Sequence, residues 1–391
     1  MTQKFWVSAL ILFSLYSASA VSAETNQVAT QSVNGSASSS VAVKPHMQDF
    51  FDSISKLQPY IVNKDEYLNE KNSEKVLNLV GDFKDKTIAL KKEKFAQSAD
   101  MKFRAQQLAE GLNEAYTTYK DGFRDYSYWV LKSNLNQCFS CHTQKGLDKT
   151  QFKVEQMDKE PAFAQAEFLF LVRNYDQSMP LYKKIIENYP QNKESVENVE
   201  VSLQKILYYY VRVLREDSQT EKTFEDLSKN KSLPEYIHHS LSAWKNYLKV
   251  KKYRVVENTK IKDVQSLEKF IKEREDVASH YTFSRQRTIV DLETSQVLFK
   301  LLEKNEIKNL KPWLLYYLAM TEVGYRTTMF DSTPELYLKE CIESYSKTKA
   351  APKCLDLYKQ MKKEAYTGSR GTDIPKNVQE QIKKYEGMIS K

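Results

Sequence analysis

The chain has 391 residues, a formal net charge of +8 and an apolar fraction of 41%, which allows a sizeable core and a length of two domains at roughly 100–200 residues each. Its 9 glycines and 10 prolines are few, and no glycine lies between Gly146 and Gly324, so the hairpin turns that a sheet-based chain of this size requires are excluded and an all-α fold is predicted. Lysine and glutamate are interleaved without a long run of one sign, which reads as solvated helix faces, or more sharply as a basic surface for acidic partners.

The first residues, MTQKFWVSALILFSLYSASAVSA, place Lys4 ahead of an apolar run from Phe5 to Leu15 and end in small residues. This is the pattern of a cleaved secretory signal over residues 1–23, with Ala18-Ser19-Ala20 or Val21-Ser22-Ala23 at the cut. The run is too short for a comfortable membrane anchor, and no later segment approaches ~20 apolar residues, so no transmembrane segment is expected in the mature chain. Export disfavours nucleic acid as a partner and predicts a periplasmic protein. The polar, Ser-rich residues 24–44 read as a disordered linker.

Residues 45–150 are predicted to form four helices with short connections, an up-and-down bundle. In the first, Met47, Phe50, Phe51, Ile54, Leu57 and Ile61 recur at three- and four-residue steps. The second starts at Asn72 or Ser73 as its cap, the third at Asp100, and Asp121-Gly122 is a turn. The fourth, FRDYSYWVLKSNLNQCFSCH, carries Cys138, Cys141 and His142 at its C-terminal end.

C-x-x-C-H is the signature of c-type haem attachment. Positions i and i+3 share a helix face, so both thiols can add to the two vinyl groups of one porphyrin as thioethers, and the next residue, His142, projects to the iron as its proximal ligand. A structural zinc site wants four ligands, and Cys341 and Cys354 are 200 residues away. A thioredoxin-like dithiol expects a strand–helix context that is absent. A motif that closes a helical region of about 100 residues, rather than opening a domain, resembles class II cytochromes c, the cytochrome c′ type. That resemblance implies one haem c inside a four-helix bundle, tethered to the fourth helix. It also implies a distal position that is either open behind apolar side chains or filled by a methionine near the start of helix one. Met47 stands at that place, with His46 as the alternative ligand. A buried Met47 that merely packs is the remaining reading.

Residues 160–391 are predicted to be a degenerate solenoid of helix pairs. AEFLFLVRNYDQSMPLYKKIIENYP, residues 166–190, resembles one tetratricopeptide repeat, with a turn at Asn174-Tyr175-Asp176 and Pro180 expected in the first turn of the second helix. Helices are expected over 197–215 and 234–252, then in the stretches TIVDLETSQVLFKLLEKN and KPWLLYYLAMTEVGYRT. The whole chain resembles exported bacterial proteins that join a class II-like haem domain to such a region and end in a segment like CIESYSKTKAAPKCLDLYKQMKKEAYTGSRGTDIP. Cys341 and Cys354 flank SKTKAAPK in two helices, close enough in an antiparallel pair for a disulfide in an oxidising compartment. Thr372 or Asp373 is expected to cap the last helix, with Pro375 near its first turn. His238, His239 and His280 have no ligand-like spacing, and no hydrolytic or phosphate-binding arrangement stands out. The reading is a monohaem electron carrier rather than an enzyme, docking a protein partner on its helical repeats. The alternatives are a gas-binding protein with an open iron, for nitric oxide for example, and a structural adaptor in which haem is a folding element.

Overall fold

The computed structural model describes residues 37–97, 101–144, 160–191, 194–250, 260–281, 284–304, 308–324 and 333–389. The expected signal segment, the linker up to residue 36 and the Asp100 cap lie outside them. The described residues are almost wholly α-helical, as the scarcity of glycine requires. Strands among them are limited to β1 (Thr367–Gly368) and β2 (Gly371–Thr372), one small antiparallel hairpin.

Helix α1 (Ala37–Val62) starts earlier than the apolar pattern suggests and takes in residues 37–44 of the expected linker. Downstream of Gly35 no glycine interrupts the run. A short helix α2 (Lys64–Leu68), capped by the Asn63 side chain on the N–H groups of Asp65 and Glu66, turns the chain. It leads to α3 (Ser73–Lys92), α4 (Lys102–Lys120) and α5 (Arg124–Gln144). Asn72 stands at the cap position of α3 without capping it; its amide donates instead to the Glu66 carbonyl at 3.0 Å and carboxylate at 2.8 Å. The turn between α4 and α5 is where expected, with Gly122 at φ 90°. In sequence order α1 packs on α3, α3 on α4 and α4 on α5. Their shared core includes Leu57, Val76, Val80, Phe83, Leu112 and Leu131.

The helices that follow pack largely on their neighbours in sequence. They are α6 (Ala162–Leu171), α7 (Tyr175–Glu187), α8 (Val196–Tyr208), α9 (Asp217–Leu227), α10 (Glu235–Lys249), α11 (Val264–Ala278), α12 (Ser284–Lys304), α13 (Lys311–Gly324), α14 (Thr333–Tyr345), α15 (Ala350–Ala365) and α16 (Lys376–Ile389). Pro180 falls in the second turn of α7, not the first, because the helix already begins at Tyr175; the proline forgoes the bond to the Asp176 carbonyl. The helix expected over 197–215 is α-helical only to Tyr208. It widens into a π-helical turn over Tyr209–Leu214 and ends at Arg215 with φ 58°.

Cys341 on α14 and Cys354 on α15 form the expected disulfide, with Cα atoms 6.3 Å apart. Neither Thr372 nor Asp373 caps α16. The Thr372 hydroxyl pairs with Thr367 at 2.7 Å and the Asp373 N–H donates to Tyr366 at 2.9 Å, so the hairpin has claimed both, and Pro375 directly precedes the helix.

The chain closes back on its start. Phe103 of α4 belongs to the core of the C-terminal helices and meets Tyr337 of α14 edge-on at 4.9 Å. Beside it Arg104 donates to Glu322 of α13 at 2.9 Å, a buried ion pair, and to Thr333 of α14 at 2.9 Å. Lys102 reaches Glu340 at 2.7 Å.

Candidate haem attachment site

Helix α5 is buried around much of its circumference, and its last turns meet two hydrophobic cores and a polar cluster. Cys138 packs against the core of α1, α3 and α4. Phe139, on the flank of the helix, enters the core of α6 to α12, with its ring 5.6 Å from Phe170 and 5.6 Å from Tyr208. Gln137 accepts from Arg104 at 2.6 Å and so joins the polar cluster that ties α4 and α5 to α13 and α14. The Thr333 hydroxyl at the centre of that cluster also bonds Gln107. Three consecutive residues are therefore each fixed by a different part of the chain.

Cys138 and Cys141 are not in a disulfide. Both keep part of their surface accessible, as does His142, although protein surrounds Cys138 and His142 densely enough to shift their titration. Burial, with a smaller push from Cys141, raises the Cys138 thiol to about 12. It is held uncharged, which suits a thioether sulfur and disfavours thiolate chemistry with zinc or a disulfide partner. Burial, aided by the charge of Arg173, lowers His142 to about 3. The imidazole is neutral across the physiological range, the form that binds metal. Its Nδ1 is buried with no hydrogen-bond partner, and a buried polar atom of that sort calls for an explanation such as a missing ligand.

The far end of these helices is stitched by tyrosines. Tyr67 shares a 2.7 Å hydrogen bond with Ser127 and packs its ring on Tyr119 and Tyr128. Tyr128 Oη donates to the Ile61 carbonyl at 3.1 Å. This bond sets the register of α1 against α5. The two helices run antiparallel and rise equally per residue. Met47 lies on α1, N-terminal to Ile61. It is half-buried against the same core as Cys138. His46 is also half-buried and has interactions of its own.

Beyond the tyrosine end α1 and α5 do not pack extensively on each other; α6 touches both. It contributes Phe168, Leu169, Leu171 and Val172 to the N-terminal core, while Ala166 and Phe170 face the C-terminal helices. Sequence reasoning placed α6 only in the repeat region. The signal was present in Phe168-Leu169-Phe170-Leu171-Val172, a consecutive apolar run that a helix buried on one face does not need. Lys205 of α8 was also missed. Its ammonium sits 3.4 Å from the Phe139 ring centroid and 4.0 Å from Glu167. A lysine in an amphipathic pattern carries no mark of burial.

Among the described residues no cluster of three or more His, Cys, Asp or Glu side chains could hold a metal ion, and no helix is long and apolar enough to cross a membrane. A haem iron needs no such cluster, because the porphyrin supplies its equatorial ligands. The donor set present, two adjacent thiols and a neutral imidazole with an unused buried nitrogen, fits a covalently held haem. The chain matches no family model, no curated protein and no solved structure.

Proposed function

We infer that this protein is an exported, periplasmic monohaem c-type cytochrome that transfers electrons to or from a protein docked on its C-terminal, tetratricopeptide-like helices. The observation that carries the reading is the end of α5, where C-x-x-C-H falls on a helix and His142 is neutral with a buried nitrogen that makes no hydrogen bond. Cys138 and Cys141 would hold the porphyrin as thioethers, His142 would bind the iron, and Met47 would close the opposite side. The haem, when bound, supplies a one-electron ferric–ferrous couple. The polypeptide holds the motif helix rigid through Gln137 and Phe139 and walls the site with α6.

The reduced protein tests this reading with carbon monoxide. A low-spin spectrum that the gas leaves unchanged is expected for Met47 ligation, and Met47→Ala should admit the gas. Rapid binding to the unaltered protein would overturn the Met47 assignment and favour an open, gas-binding iron. Cys138→Ala combined with Cys141→Ala should abolish covalent haem staining.

A further inference from the structure

Lys205 is a buried cation with no full counter-ion, placed on the helix turn that carries the two cysteines. Only 4% of the residue is exposed. Its ammonium lies over Phe139, the residue that follows Cys138, at 3.4 Å from the ring centroid, and 5.2 Å from that of Phe170. Nζ donates to Asn136 of α5 at 3.3 Å. The nearest carboxylate, Glu167 of α6, is 4.0 Å away and already accepts a 2.5 Å hydrogen bond from Tyr182 of α7. Lys132 of α5 faces it as a like charge. A full charge desolvated in this way acts on its surroundings far more strongly than one in water. No stability argument accounts for it, since an apolar side chain of the same length would fill the space without that cost.

We propose that Lys205 is a tuning residue for the iron: its buried charge raises the reduction potential of the attached haem and couples electron loss to proton loss. The inference rests on the haem reading above. With haem attached, loss of one electron to the acceptor would disfavour the Lys205 ammonium, which would release one proton to solvent and take it back on re-reduction. Burial already lowers the ammonium to about 8, so this exchange falls near neutral pH rather than far above it. Glu167 opposes the release and Lys132 favours it. Arg173 is the other cation near the motif and acts on His142.

The test is potentiometric titration of the haem-loaded full-length protein at pH 7 and pH 9, beside Lys205→Met and Lys205→Arg. The potential of the unaltered protein should fall as the pH rises. Lys205→Met should lie lower at pH 7 and show no such fall. Lys205→Arg, which keeps a charge that does not titrate, should stay near the unaltered protein at pH 7 and be equally flat. Equal potentials for Lys205→Met and the unaltered protein at pH 7, or a pH dependence that survives in the variants, would overturn the proposal. A chain that carries no covalent haem on a denaturing gel would instead refute the haem reading itself, which keeps the two failures apart.

Discussion

Phe139→Ala probes the junction on which the site depends. Phe139 is 1% exposed and is the side chain by which the motif helix enters the core of the C-terminal helices. Truncating a buried phenylalanine costs about 3–5 kcal/mol, part transfer and part cavity. Two edge-on ring contacts at 5.6 Å are lost with it, each worth about 0.5–1.5 kcal/mol within that range. The Lys205 ammonium loses the ring it rests on, which adds about 2 kcal/mol for a desolvated cation–π contact. These terms overlap, so the expected loss is about 4 kcal/mol, near the upper half of the range for core truncations. Urea denaturation followed by tryptophan fluorescence reads it as a lowered midpoint. Phe139→Leu, which refills most of the volume, should recover more than half of the loss. A loss below about 1 kcal/mol for Phe139→Ala would mean that α5 is not anchored in that core, and the account of how the motif is held would fall.

Four further outcomes are expected. Gly111→Ala would set a new Cβ 1.8 Å from Asn134 Oδ1; Asn134 lies one turn before Cys138, and the overpacking should cost about 1–3 kcal/mol in the same denaturation assay. Glu322→Gln leaves Arg104 as a buried cation with a neutral partner and should cost about 3 kcal/mol, while Glu322→Asp should cost less. Replacing Cys341 and Cys354 by serine should lower stability by about 3 kcal/mol, and a reductant should lower the unfolding midpoint of the unaltered protein but not of the double variant. Lys205→Met should be more stable than the unaltered protein at pH 7 by about 1 kcal/mol, the roughly 3 kcal/mol of relieved desolvation less about 2 of lost cation–π attraction. The folded-state value of about 8 lies below the unfolded 10.5. The unfolded chain therefore binds more protons between those values, stability of the unaltered protein rises with pH through that window, and the advantage of Lys205→Met should vanish by pH 10.

The sequence made the candidate site legible where the chemistry is local. Cys138, Cys141 and His142 are neighbours in the chain, their helical spacing is a matter of pitch, and the Cys341–Cys354 pair needed only two helices and a short link. The all-α character followed from the missing glycines. What could not be read depends on contacts across long separations. Gln137 meets Arg104 and, through it, Glu322 and Thr333, and nothing local in a glutamine announces a partner some two hundred residues on. Expected caps were lost to competing local partners: Asn72 turned to Glu66, and Thr372 to Thr367. Two signals were available and unused. Apolar residues run around α5 rather than along one stripe, and α6 is apolar at its last four positions; both patterns belong to helices packed on more than one side.

Covalent attachment is the claim on which the rest stands. The protein should be produced in a host that matures c-type cytochromes, denatured, washed with acidified acetone to strip any loosely held haem, and examined in alkaline pyridine after reduction. The account predicts that the washed polypeptide keeps its colour, with one haem per chain, and that Cys138→Ala with Cys141→Ala is colourless after the same wash. A colourless unaltered chain would contradict it.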